Sequence, residues 1–385
     1  MIVFKNVRYY NGPGFSRPGS VWISGSKIDR LSEDPDPKLS AECEEVIDGQ
    51  GGYLIPGYID IHAHGGLGCK FGDGNMEGTK TVLRYLASYG TTSCLAGPTV
   101  QPAEAIQRCI AVAMECDKLH IGANVLGVHL EGPFLNRERI GSNNIHCLQI
   151  PTVENYKRVA GDYAGLIRRV TLAPELDDGF RLTRYLAEHG VCASAGHTVA
   201  SSDVFRRSVD AGVRMCTHFF NGMNPMHHRD LGVVGGGLLD DRVSAEMICD
   251  LVHLHPGAIR LVHKVKGPGR CLVSTDTTRY AAMPDGVYGG DGGLTIKDGA
   301  CRNAFGVLSG SIVPMHTQVQ RLLREVGLGL ADVVRMTSVN AAALIGVSQS
   351  KGAVRDGWDA DLNLLDQNYD LMKTMILGKV FSPQE

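Results

Sequence analysis

The stretch PGYIDIHAHGG, residues 56–66, places two histidines at the end of a short, alternating apolar segment. Residues two apart in a β-strand point to the same face, so His62 and His64 present their imidazoles on one side. The glycines that follow allow the chain and a substrate to come close to those rings. The pattern therefore predicts a strand that ends at a site.

Seven further strand candidates follow along the chain, and helical periodicity separates most of them. Together with residues 57–64, the strand candidates are residues 91–100, 124–133, 170–176, 191–198, 214–220, 244–250 and 271–276. Apolar residues at spacings of three and four, as in GTKTVLRYLASYG, predict the intervening helices. Eight strands alternating with helices predict a (β/α)8 barrel. A doubly wound open sheet is the alternative, but the glycines after the first strand lack the spacing of a phosphate-binding turn.

The two ends of the chain differ from this middle. Residues 1–55 contain short strand-like runs broken by Gly, Pro and Ser, and residues 347–385 follow the same pattern. We expect both ends to form one small β-sandwich domain. Residues 56–346 would then be the catalytic barrel domain.

Composition narrows the class of protein. The 385 residues include 38 Lys and Arg and 41 Asp and Glu, a balance that argues against a nucleic-acid-binding or membrane-surface protein. No apolar run approaches the ~18–20 residues of a membrane span, and the N-terminal residues lack the features of a signal peptide. The eleven cysteines show no CxxC spacing, which indicates reduced thiols. We expect a cytoplasmic protein.

Polar side chains recur where the candidate strands end. These residues are His62, His64, His129, Glu131, His197, His218 and Asp276. In a barrel they would meet at the carboxyl-terminal rim, where active sites lie. Each alone has an ordinary explanation, such as an N-cap for Asp276. Burying all of them without partners is costly, and a divalent metal removes that cost. Histidine and carboxylate ligands without cysteine suit zinc in a catalytic site, with iron, cobalt or manganese as alternatives.

Longer blocks of the sequence resemble one family. The segment PGYIDIHAHGG is similar to the opening signature of the amidohydrolase superfamily. The blocks GVHLEGPFLN, LAPE, SAGHT, THFFNGMNPMHHRDLGVVGGGL, DLVHLHP, LVSTDTT and GVLSGS resemble, in order, those of N-acetylglucosamine-6-phosphate deacetylases. The resemblance covers essentially the whole chain. It implies a homodimeric barrel enzyme that uses one or two divalent metal ions to remove the acetyl group from N-acetylglucosamine 6-phosphate.

The resemblance also implies roles for individual residues. Glu131, His197 and His218 match the principal metal ligands, His62 and His64 match a second metal position, and Asp276 matches the catalytic aspartate. The positions expected to bind substrate are Asn221, Gly222, Arg229, His253, Asn143 and, in the block GVLSGS, Leu308. Arg229 matches a phosphate-binding arginine that could reach across the dimer interface.

The sequence departs from the family pattern near the substrate. Asn143 stands where the family has a histidine that polarises the substrate carbonyl, and His146, three residues later, is a candidate replacement. These departures leave N-acetylgalactosamine 6-phosphate, or another N-acyl compound, as alternative substrates. Dihydroorotase-like enzymes fit less well, because VTLAPEL lacks their metal-bridging lysine. An inactive barrel acting as a binding protein is the alternative from another class.

Overall fold

Both ends of the chain build one β domain. The computed structural model describes residues 1–38, 43–289 and 293–381. The N-terminal strands are β1 Ile2–Tyr9, β2 Gly19–Ser24, β3 Lys27–Ser32, β4 Glu45–Asp48 and β5 Tyr53–Pro56. Strand β1 pairs antiparallel with β2. Its first half also runs parallel to β4, and its second half runs parallel to β5.

Eight parallel strands form the barrel. The first barrel strand is β6 Tyr58–Ala63, and a short hairpin of β7 Gly65–Gly66 and β8 Cys69–Lys70 follows it. The other barrel strands are β9 Thr91–Ala96, β10 Asn124–Glu131, β11 Ile167–Leu172, β12 Cys192–Ala195, β13 Val213–Cys216, β14 Ser244–Met247 and β15 Cys271–Val273. Strands β6 and β9 to β15, the first to eighth barrel strands, pair in that order. The chain after β15 closes the ring, since Asp276 N–H donates to His62 O at 2.7 Å and Thr277 bridges Ala63. The predicted (β/α)8 barrel is confirmed.

Helices pack around the outside of these strands. They are α1 Met76–Ser88, α2 Ala103–Asp117, α3 Val153–Ala160, α4 Arg181–Glu188, α5 Ser202–Ala211, α6 Gly232–Leu239, α7 Pro256–Lys266, α8 Met315–Arg321, α9 Leu330–Val334 and α10 Asn340–Leu344. Short side chains cap several of them, as where Asn75 accepts from Gly78 N–H at 2.7 Å before α1. Because their apolar faces fill the space against the strands, the strand ends stay free for polar residues.

A small antiparallel sheet separates the last barrel strand from α8. Its strands are β16 Gly286–Tyr288, β17 Leu294–Lys297 and β18 Ala300–Arg302. This insertion was not foreseen from the sequence. Leu294 within it and Leu308 after it line the cavity described below.

The C-terminal strands then return to the first sheet. They are β19 Leu362–Leu365, β20 Leu371–Ile376 and β21 Lys379–Phe381, and β19 pairs antiparallel with β5. Residues from both ends share one apolar core, which includes Phe4, Val21, Leu362 and Met375. The domain limits at 55/56 and 346/347 stay a prediction. Within the described ranges, no helix has the length and apolar character needed to cross a membrane.

Candidate active site

Two groups of possible metal ligands meet at the carboxyl-terminal rim of the barrel. One group is Glu131, His197 and His218, and the other is His62, His64 and Asp276; within each group the ligand atoms lie within 4.8 Å of one another. They come from the ends of the first, third, fifth, sixth and eighth barrel strands. The fold therefore produces the convergence expected from the sequence for every one of these residues except His129, which is in neither group.

The Glu131 carboxylate lies between the two groups. Its Oε1 is 2.9 Å from His197 Nε2 and 3.2 Å from His218 Nε2, and its Oε2 is 3.3 Å from His64 Nε2. Oε1 thus faces His197 and His218, with His62 Nε2 3.6 Å away, and Oε2 faces His64. A carboxylate in this position can serve two neighbouring cation positions at once.

Four of the imidazoles are held in the same tautomer. Each donates its Nδ1–H to an oxygen that can only accept, which leaves the Nε2 lone pair directed to the centre. The acceptors are Glu246 Oε1 at 2.8 Å for His62, Gly97 O at 2.8 Å for His64, Arg139 O at 2.6 Å for His197, and Asn221 O at 3.0 Å for His218. These assignments follow from the partners of each ring.

Within each group, two histidine Nε2 atoms face each other at short distance. The Nε2 atoms of His62 and His64 are 3.2 Å apart, and those of His197 and His218 are 3.0 Å apart. Two lone pairs at such distances repel unless a proton or a cation lies between them. Imidazole and carboxylate donors without cysteine suit a divalent metal in a catalytic site. The residues present therefore fit the metal that the sequence pattern indicated.

The charges of the buried groups support the same conclusion. Burial lowers the pKa of His62, but the carboxylates of Glu246, Asp276 and Glu131 raise it well above its usual value. Burial also lowers the pKa of His64. Hydrogen bonds to Asp276 and Glu131 outweigh that effect and raise this pKa to about 9. Burial raises and the histidines lower the pKa of Glu131, which ends well below its usual range. The carboxylates thus attract positive charge to the Nε2 atoms.

Asp276 has the position and charge of a proton acceptor. Its Oδ1 lies 3.3 Å from His64 Nε2 and 3.5 Å from His62 Nε2. Burial raises the pKa of this carboxyl, but the neighbouring histidines bring it below its usual value. The side chain is therefore ionised at neutral pH and lines the cavity. It can accept a proton from a water molecule bound among the ligands.

Backbone strain is concentrated in the same residues. His197, His218 and Asp276 adopt positive φ angles of 48°, 30° and 49°. Side chains other than glycine in this region cost about 1–3 kcal/mol each, and such residues persist where the surrounding structure holds them in place. The strands end in these conformations, which turn the side chains toward the centre.

A buried ion pair supports the ligands from inside the barrel. Glu246 accepts hydrogen bonds from His62 and from His218 N–H at 3.2 Å, and it pairs with Arg169. Both side chains of this pair have no exposed surface. His129 also lies in this layer, bonded to Thr171 Oγ1 at 2.8 Å. Burial lowers the pKa of His129 well below its usual value, so this ring is neutral and packs against His62.

The sequence analysis missed Glu246 and Arg169. The available signal was a charged residue inside an otherwise apolar strand, in SAEMICD for Glu246 and in IRRVTL for Arg169. A buried charge in a strand of a barrel must be paired or ligating. Which partner each has could be seen only once the strands were in order.

Beside the ligands lies a cavity of about 1130 Å³. Most of the residues that were expected to bind substrate line this cavity. These are Asn143, Asn221, Gly222, His253 and Leu308. His253 is fixed by Asp250, which accepts from its Nδ1 at 2.8 Å and from Ser311 Oγ at 2.8 Å.

Two expected residues lie elsewhere. Arg229 is on an exposed segment, outside the cavity lining, and its guanidinium contacts no acceptor among the described residues. His146 is also exposed and lies outside the lining, whereas Asn143 lines the cavity. Three cations that line the cavity were not foreseen, namely Lys70, Arg139 and Arg279.

Comparison with known proteins places this geometry in a family. The model of the amidohydrolase family matches residues 53–381. The chain therefore belongs to the amidohydrolase family. Among curated proteins, the N-acetylglucosamine-6-phosphate deacetylase of Bacillus subtilis is 34% identical over 385 residues, covering 98% of this chain and 96% of that protein.

Solved structures agree with this relationship. The crystal structure of N-acetylglucosamine-6-phosphate deacetylase from Pasteurella multocida is similar with a TM-score of 0.90 and 28% identity, covering 99% of each chain. An aspartate-to-alanine mutant of the Mycobacterium smegmatis deacetylase, in complex with N-acetyl-D-glucosamine-6-phosphate, is similar with a TM-score of 0.88 and 28% identity over 98% of each chain. The resemblance drawn from the sequence blocks is confirmed.

Proposed function

We propose that this enzyme hydrolyses the N-acetyl group of N-acetylglucosamine 6-phosphate to give glucosamine 6-phosphate and acetate. The observation that carries the proposal is the convergence of four Nε2 atoms and two carboxylates on one cavity, in a fold that matches enzymes named for this reaction over their whole length. The family and the relatives make the chain a hydrolase.

Glu131, His197 and His218 would hold one divalent ion, and His62 and His64 would hold a second beside Glu131. Zinc is the metal we propose, because its preference for nitrogen and oxygen ligands matches this set. Bound there, a divalent cation supplies Lewis acidity toward the acetyl carbonyl and toward the attacking water. The acceptors behind each imidazole orient the Nε2 atoms for that ion.

Asp276 moves the proton in this reaction. Its ionised carboxylate takes a proton from the attacking water and then gives it to the amine nitrogen as the C–N bond breaks. Amines are poor leaving groups unless protonated, so the same residue serves both steps. Asn143, on the cavity wall, would donate a hydrogen bond to the acetyl oxygen as negative charge develops on it.

Residues after the sixth and seventh barrel strands would bind the sugar phosphate. Asn221, Gly222 and His253 line that part of the cavity. Because Arg229 lies outside the lining and has no acceptor among the described residues, we propose that it binds the phosphate of a substrate held by a second copy of the chain. The enzyme would then be a homodimer. The eleven cysteines are free, which supports a cytoplasmic location.

An acetate-release assay tests the function. The panel contains N-acetylglucosamine 6-phosphate, N-acetylgalactosamine 6-phosphate and unphosphorylated N-acetylglucosamine, with Asp276→Asn protein as the blank. We expect the first compound to have the highest kcat/KM. A higher kcat/KM for either of the others, or acetate release no faster than the blank, would contradict the proposal.

A further inference from the structure

Lys70 is a cation in the cavity that forms no ion pair with the described residues. It ends β8, in the hairpin after the first barrel strand, and it lines the cavity. Its ammonium makes no hydrogen bond or ion pair with any residue in the described parts of the chain. Burial and the neighbouring charge of Arg279 lower the pKa of Lys70, and the Asp73 carboxylate offsets them only in part.

Three polar side chains converge in front of Gly72. A Cβ atom on Gly72 would lie 3.1 Å from Gln101 Nε2, 3.4 Å from Thr99 Oγ1 and 3.5 Å from Lys70 Cε. The amide of Gln101 reaches only a weak acceptor, Cys109 Sγ at 3.8 Å. The Thr99 hydroxyl has no partner among the described residues. The side chains of Lys70, Thr99 and Gln101 therefore have no strong acceptor among the described residues.

Arg279 completes this group. Its guanidinium lines the same cavity and is 2.5 Å from Asp73 Oδ1, which leaves its other nitrogens for a ligand. With Lys70 the two cations exceed the single carboxylate of Asp73. We call Lys70, Thr99, Gln101 and Arg279 the Lys70 patch.

The patch lies away from the residues proposed to hold the phosphate. Its members follow the eighth, first and second barrel strands, whereas Asn221 and His253 follow the sixth and seventh. The amide bond is planar and places the sugar and the acyl chain at opposite ends. With the amide at the metal ligands and the phosphate near His253, the acyl chain extends toward the Lys70 patch.

We propose that the Lys70 patch binds a carboxylate on the acyl side of the cavity. The assignment of that side rests on the proposed function. Two sources share this chemistry: the acetate released by the reaction, and a carboxylate at the far end of a longer acyl chain, such as N-succinyl. In the second case one water cleaves the C–N bond, the amine nitrogen gains a proton, and succinate leaves with two carboxylates.

Binding is tested first without reference to activity. Metal-loaded protein is reductively methylated with ¹³C-formaldehyde, and the dimethyl-lysine signal of Lys70 is assigned by its absence in Lys70→Met. Lys118, which is exposed and paired with Glu115, is the matched control. We expect sodium acetate and sodium succinate to shift the Lys70 signal with saturation and to leave the Lys118 signal unchanged.

Kinetics then distinguish the two sources. Loss of one charge-assisted hydrogen bond should weaken carboxylate binding about tenfold. If acetate is the ligand, Lys70→Met raises the inhibition constant of acetate by that factor. If an acyl carboxylate is the ligand, Lys70→Met lowers the ratio of kcat/KM for N-succinyl- over N-acetylglucosamine 6-phosphate by that factor. Lys118→Met changes neither value.

A Lys70 signal that does not move, or kinetic values equal in Lys70→Met and wild type, overturns the proposal. The second outcome would mean that carboxylates bind only at the metal ligands. An enzyme that is inactive on every N-acetyl sugar phosphate would instead contradict the proposed function, while the Lys70 signal would still decide whether the patch binds a carboxylate.

Discussion

His62 and Glu246 form a hydrogen bond of 2.8 Å between Nδ1 and Oε1, and neither side chain has any exposed surface. The second oxygen of Glu246 pairs with Arg169, which is equally buried. The orientation of a candidate metal ligand thus depends on an ion pair inside the barrel. Carboxylates that hold a histidine in this way also raise its basicity toward a metal.

Removing one charge from this pair should destabilise the barrel. Glu246→Gln leaves Arg169 buried without a counter-charge, which costs about 3–5 kcal/mol of the free energy of unfolding. Urea unfolding of metal-free protein measures this loss. The double variant Glu246→Gln, Arg169→Met removes both charges and should recover most of it. A single variant within 1 kcal/mol of wild type would contradict this role, since that value is below the ~3–5 kcal/mol expected for a broken buried pair.

Glu131, His197 and His218 are predicted to share one ion. His197→Ala removes a ligand whose Nε2 lies 2.9 Å from Glu131 Oε1, so metal content and activity should fall together. Elemental analysis of protein purified without chelator gives the metal content. The control is His146→Ala, an exposed position outside the cavity, which should keep both. Full metal occupancy in His197→Ala would show that the assignment is wrong.

Asp276 should affect chemistry more than binding. Asp276→Asn keeps the size of the side chain but cannot accept the proton of the water. We expect kcat to fall by at least ~10²-fold, the usual effect of losing a general acid–base group, with KM little changed. Steady-state kinetics on N-acetylglucosamine 6-phosphate measure both constants, and the metal content is checked in the same samples. A two-fold change in kcat would exclude Asp276 as the base.

Arg229 should act on the phosphate and not on the amide. Arg229→Ala is expected to raise KM strongly for the phosphorylated substrate and to leave the low rate on unphosphorylated N-acetylglucosamine almost unchanged. Arg206 is an exposed arginine paired with Asp203, so Arg206→Ala is a matched control. Equal sensitivity of both substrates would rule out a phosphate role. If the residue acts across a dimer, mixing Arg229→Ala with Asp276→Asn subunits should restore some activity.

The barrel and the convergence of its candidate ligands were predictable because strand periodicity is local. His62 and His64 share a face at any strand end, and the carboxyl ends of parallel strands meet at one rim. The Lys70 patch and the 286–302 insertion were not predictable in this way. The position of Lys70 depends on the Gly65–Lys70 hairpin, and the insertion has neither helical period nor long apolar strands. The partners of Glu246 are far apart in the sequence and become visible only in the closed barrel.

Asn143 is the residue that we expect to donate a hydrogen bond to the acetyl oxygen of the substrate. It lines the cavity, and its Nδ2 donates to Ile140 O at 3.3 Å, which leaves a second N–H for the acetyl oxygen. The resemblance places a histidine here, and loss of one donor to a developing oxyanion typically costs about 2.7–4 kcal/mol, or ~10²–10³ in kcat. Because Asn143 retains a donor, we expect wild type to turn over N-acetylglucosamine 6-phosphate at an ordinary enzyme rate.

The decisive variant is Asn143→His, assayed beside wild type on that substrate. We expect the histidine to give no improvement, since the amide already supplies the donor and the metal ligands and Asp276 are in place around the cavity. Asn144 is exposed and also lines the cavity, so Asn144→His shows whether an imidazole at a neighbouring position of this loop has the same effect. A nearly inactive wild type that Asn143→His improves more than tenfold, while Asn144→His does not, would show that Asn143 fails to reach the carbonyl. The cavity would then be shaped for another acyl group or another sugar.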